Sequence, residues 1–170
     1  MSKAFTRESD DAPEIPLRPR RPSPLPPGTK NYLTASGARR MREELSAVLL
    51  PERDKLAGHP ADAGTKSRLD ALHERIQQIE QVLASAVIAE PPAPPHDQVR
   101  FGATVAVRHR NNEESSYRIV GVDETDVDRD WISWLSPVAK ALLNARPGQK
   151  VRIKLPGGED ELTILGIRYE

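Results

Sequence analysis

The chain has 170 residues, 29% of them charged, with a formal net charge of zero and no cysteine. This excludes a disulfide framework and a thiolate metal site, and it argues against a protein that binds nucleic acid chiefly by neutralising phosphates. The four histidines, His59, His73, His96 and His109, have no second ligand at helical metal-site spacing, so no metal and no cofactor is expected. No apolar run is long enough to span a bilayer and no hydrophobic signal core opens the chain, so a cytoplasmic protein without membrane contact is expected.

Residues 1–30 hold seven of the 16 prolines and few large apolar residues. The stretch Pro13 to Pro27 reads as an extended, disordered tail, made locally basic by Arg18, Arg20 and Arg21. Such a tail serves as a solubilising leader or brings the chain near nucleic acid or an acidic surface.

Residues 31–90 read as helical. Thr34 can cap a helix in which Ala38, Met41, Leu45 and Val48 recur at spacings of three and four. Pro51 should kink or break it. In a second helix, Leu69, Leu72, Ile76, Ile79, Leu83 and Ala86 alternate the same spacings without interruption, the mark of a narrow coiled-coil seam. Gly58 to Gly64, with Pro60 and Asp62 between them, reverses the chain, so the two helices should form an antiparallel hairpin.

Pro91-Pro92-Ala93-Pro94-Pro95 marks a stiff linker over residues 91–98. The remainder, 99–170, reads as strands over Val99–Val107 and Tyr117–Val122, a turn at Asn111-Asn112, a short helix over Pro137–Asn144, and alternating strands at Val151–Leu155 and Leu162–Ile167. The fold class is therefore α+β, a helical hairpin followed by a small sheet domain whose core is separate. Trp131 and Trp134 bracket Ile132-Ser133, and one should be buried, the other partly exposed.

Phe101-Gly102-Ala103-Thr104-Val105, Tyr117 to Glu124, Ile132-Ser133, Ser136 to Leu143, Pro147-Gly148 and Leu155 to Gly158 resemble, in order, the carboxy-terminal domain of bacterial Gre transcription elongation factors. Tyr32-Leu33-Thr34, Gly37, Glu44-Leu45, Glu52-Arg53, Arg68-Leu69 and Arg75-Ile76 resemble that family's hairpin, so the resemblance covers residues 31–170. It implies an antiparallel coiled coil followed by an FKBP-like α+β domain, a monomer that binds RNA polymerase at its secondary channel, and no enzymatic activity of its own. By motif it implies polymerase contacts at Asp123, Ile132, Ser133, Ser136 and Pro137.

The family's hairpin tip carries an Asp and a Glu three residues apart that help the polymerase hold a second magnesium ion. That stretch is missing here. The hairpin is about 13 residues shorter, which removes roughly 10 Å of reach at 1.5 Å per residue. The only acid left in the turn is Asp62. Stimulation of transcript cleavage is expected to be weak or absent. Two other readings are an interaction module regulating another protein, such as nucleoside diphosphate kinase, and a prolyl isomerase-like domain. The low aromatic content of 4% counts against the latter, because active members line their pocket with aromatics.

Overall fold

A computed structural model describes residues 25–58, 62–155 and 157–170. Arg18, Arg20 and Arg21 of the basic tail, and His59, Pro60 and Ala61 of the hairpin turn, lie outside these residues.

Strand β1 (Tyr32–Thr34) leads directly into helix α1 (Ala35–Glu43). Thr34 is extended, and its hydroxyl accepts the Gly37 N–H at 2.9 Å, answering one of the donors that a helix start leaves free. Past Glu43 the backbone widens into a π-helical stretch, Glu44–Leu49, and then tightens into α2 (Leu50–Ala57). Pro51 is the cause. It has no N–H to offer the carbonyl four residues back, and its ring would collide with that carbonyl at α-helical spacing. The Leu50 N–H instead reaches the Leu45 carbonyl, five residues away. The α-helical ladder is thus interrupted ahead of Pro51, as expected, but by a π-helical turn and not by a gap in the helix. The extra residue in this turn also rotates the apolar stripe: Val48 faces out at 46% exposure, and Leu49 takes the inward position at 7%.

Helix α3 spans Ala63–Ser85, 23 residues, and is about 35 Å long. Asp62 caps it, one Oδ1 accepting the Thr65 N–H at 2.7 Å, so Ala63 and Gly64 belong to the helix and not to the turn. Leu72, Ile76 and Ile79 bury against Leu49, with Met41, Leu45, Leu50, Leu56 and Leu83 packed around them. Two ion pairs tie the antiparallel helices, Arg75 to Glu44 through two bonds of 2.9 Å and Arg68 to Glu52 at 2.6 Å.

The helical pattern extends to Ile88 in sequence, but α3 stops at Ser85. Val87–Ala89 form a strand, β2, that runs parallel to β1, with Leu33 opposite Ile88. β-Branched residues beside a waiting strand edge favour the extended chain. The start and end of the hairpin are thereby clamped together.

The carboxy-terminal sheet contains β3 (Thr104–Arg108), β4 (Glu114–Val120), β5 (Trp131–Ser133), β6 (Lys150–Leu155) and β7 (Gly158–Arg168), in the order β5-β4-β3-β7-β6. All neighbours are antiparallel except β4 and β5, which run parallel after a crossing made of two 3-10 turns, Val122–Glu124 and Val127–Arg129. Helix α4 (Pro137–Leu142) places Ala139 and Leu142 against Val105, Val107, Ile119, Leu162 and Ile164. Val99, expected to open a strand, is fully buried but sits outside the sheet, exchanging backbone bonds with Asn144 and Ala145 after α4. The turn at Asn111-Asn112 forms, with Asn112 at φ 70. Among the described residues, no helix is long and apolar enough to cross a membrane.

Candidate functional site

Four of the five docking candidates sit on the β5 edge of the sheet and the loop that follows it. Ile132 is partly buried against the sheet core. Ser133 pairs with Val120 across β4 and β5, and its hydroxyl accepts the Leu135 N–H at 3.2 Å. The Ser136 hydroxyl accepts the Ala139 N–H at 3.1 Å, and Pro137 occupies the first turn of α4. Ser136-Pro137 therefore starts the helix whatever else it touches. Pro137 is exposed. Asp123 lies in the 3-10 turn packed beside β5, and it accepts from the Asn31 side chain at 3.0 Å. These five residues share one region; Asp62 does not, since the length of α3 separates it from the sheet domain.

Asp62 is exposed, and its carboxyl is held below the usual Asp range by the Thr65 N–H it caps. Among the described residues, no group of three or more His, Asp or Glu is placed to hold a metal. A lone carboxylate already committed to a helix cap does not fit a magnesium site, which takes several oxygens around one ion.

The structure also exposes residues that sequence reasoning passed over. Glu124 is buried, and its carboxylate accepts the Thr34 N–H at 2.8 Å, the Thr34 hydroxyl and the Gly121 N–H at 3.1 Å. Arg40 approaches it at 3.4 Å. Arg118, also buried, donates to Glu170 at 2.7 Å and to the Ser36 hydroxyl at 2.8 Å. Three guanidiniums stack on Trp131, those of Arg40, Arg118 and Arg129, at 4.4, 4.9 and 5.2 Å from the ring centre. Burial lowers the Arg40 pKa from its usual value; the neighbouring arginines act the same way, and Glu124 opposes them. Trp134 meets Tyr32 edge to face at 5.4 Å, and Tyr32 leans on Phe101 at 5.8 Å. Both tryptophans are partly buried, where one fully buried ring had been expected. Tyr32 thus packs between Phe101 and Trp134 at the junction of the two modules. No local signal marks this junction: Glu124 directly follows Asp123 and reads as solvated until the fold surrounds it.

A self-packed helical hairpin, clamped at its base and braced on an α+β sheet domain, defines a two-module factor with no metal centre among its described residues. Residues 94–169 match the family model "Transcription elongation factor, GreA/GreB, C-term". The chain is 34% identical to transcription elongation factor GreB of Neisseria meningitidis serogroup A, across 83% of this chain and 95% of that one. It is 35% identical to transcription elongation factor GreA of Alkalilimnicola ehrlichii, across 83% and 99%. A solved GreA/GreB elongation factor from Nitrosomonas europaea is 25% identical, with a TM-score of 0.42 and coverage of 83% and 99%. The chain belongs to the GreA/GreB transcription elongation factor family.

Proposed function

We propose that this chain docks on RNA polymerase through the β5 edge of its sheet domain and modulates elongation from the secondary channel, with little or no stimulation of transcript cleavage. It acts in the cytoplasm as a monomer and is not an enzyme on its own. Asp123, Ile132, Ser133, Ser136 and Pro137 are the docking residues in this reading. The observation that carries it is the hairpin end: a single acid, Asp62, whose oxygen already caps α3 through the Thr65 N–H. Such an end can occupy space near a catalytic centre but has no carboxylate pair to lend it.

The test uses stalled elongation complexes and a cleavage-competent GreB. The chain should compete with GreB for polymerase, lower GreB-stimulated cleavage, and add no cleavage itself, with Asp62→Ala indistinguishable from the parent. Cleavage matching that of GreB and abolished by Asp62→Ala would overturn the reading.

A further inference from the structure

The two modules meet on one carboxylate. The Glu124 side chain is only 1% exposed, and the donors around it come from β1, α1 and its own turn. Thr34 is the hinge of the arrangement: its hydroxyl donates to Glu124 while accepting from the Gly37 N–H. One chain of hydrogen bonds thus runs from the first turn of α1, through its cap, into a side chain of the sheet domain. A buried carboxylate stripped of donors is strongly disfavoured, so the modules are held in the orientation that supplies them.

Close packing removes the remaining freedom. A Cβ on Gly37 would lie 1.8 Å from Glu124 Oε1, and a Cβ on Gly121 would lie 2.1 Å from the Tyr32 carbonyl oxygen. Neither contact tolerates a side chain. Arg118 adds a second brace through Ser36, and Arg40 reaches over Trp131 from the hairpin side. The lever arm is long: a 10° swing at this joint moves the far end of a 35 Å helix by about 6 Å.

We propose that Glu124 is the positioning residue of the hairpin, setting the direction in which the hairpin leaves the sheet domain without itself touching a partner. Removing its bonds to Thr34 redirects the hairpin and leaves the docking surface on β5 in place.

The chain has no cysteine, so Ser67→Cys with Arg152→Cys, both exposed positions on opposite modules, takes a pair of spin labels cleanly. Pulsed distance measurement on the full chain should give one narrow distribution. Glu124→Gln, which turns an acceptor into a donor facing donors, should broaden or shift it by more than about 5 Å, as should Gly37→Ala. Glu124→Ala should make room for Gly37→Ala, so the double variant should match Glu124→Ala alone. Should Glu124→Gln fail to fold, Thr34→Val takes its place, with Thr34→Ser expected to restore the narrow distribution. Unchanged distributions in folded Glu124→Gln and Gly37→Ala overturn the proposal.

A second arm rests on the polymerase reading above. Glu124→Gln should bind polymerase within about threefold of the parent while losing most of its effect on elongation. Equal loss of both would make Glu124 merely structural and overturn the positioning role. If the parent itself fails to bind polymerase, the proposed function falls, and the distance measurement decides the joint alone.

Discussion

Ile79→Ala tests whether the hairpin holds itself together. Ile79 is 1% exposed and lies in a cluster whose other buried members are Leu49, Leu72 and Ile76. Truncating a buried Ile to Ala costs about 2–5 kcal/mol through lost transfer energy and the cavity left behind. The buried part of the cluster is only these four residues. The ion pairs Arg75–Glu44 and Arg68–Glu52 are partly exposed and contribute at most about 1 kcal/mol each, so they cannot offset the loss. The sheet core around Val105, Ile119 and Leu162 does not include Ile79. Amide hydrogen exchange should therefore show α3 losing protection by about 30- to 4,000-fold, the same energy expressed as an opening equilibrium. Amides of β3 and β7 should change by less than about threefold. A uniform loss across both modules would show that the chain unfolds as one unit, and a change in α3 below tenfold would show that the hairpin is held from outside. Either result would refute the separation of the two cores.

Arg75→Ala should cost no more than about 1 kcal/mol in denaturant unfolding, because both partners of that bridge are more than a third exposed; a loss rivalling that of Ile79→Ala would contradict the ranking. Ser136→Ala should destabilise by about 1 kcal/mol through the lost α4 cap, while Ser136→Asn keeps it. If Ser136 also contacts polymerase, both variants should weaken binding, whereas restored binding with Asn would assign Ser136 to the cap alone. Asp160 accepts from His109 at 2.6 Å, and this bond, with backbone donors, holds its carboxyl below the usual value of 3.8. Its folded pKa is thus below the unfolded one, so its contribution is present above pH 3.8 and is lost as pH falls through the folded value. Asp160→Asn should flatten the acid side of the stability profile, measured as the denaturant midpoint against pH, and profiles that stay parallel would remove Asp160 as a cause.

The legible parts of this chain are those whose signal is local and periodic. Leu72, Ile76 and Ile79 announce a seam because every turn repeats it, and Thr34 and Ser136 announce helix starts because a cap acts within three residues. The register around Val48 and Leu49 was not legible, because Pro51 acts backwards on the turn before it and a periodic template has no place for one extra residue. Strands β1 and β2 are three residues each, too short for alternation to show, and each exists only beside a partner more than fifty positions away. The docking candidates were legible as a motif, yet their mutual placement depends on a parallel β4–β5 pairing that no local pattern encodes. Glu124 is the sharpest instance: next to Asp123 it looks like one more solvated acid, and only the arrival of Thr34, ninety positions earlier, turns it into a buried joint. The same reasoning bears on Asp62. Its acidity in the turn suits a metal ligand, but its position before Ala63 makes it a cap, and the cap needs only the Thr65 N–H, which the helix itself supplies. The cap accounts for where Asp62 sits, and no further ligand is needed to explain its place at the start of α3.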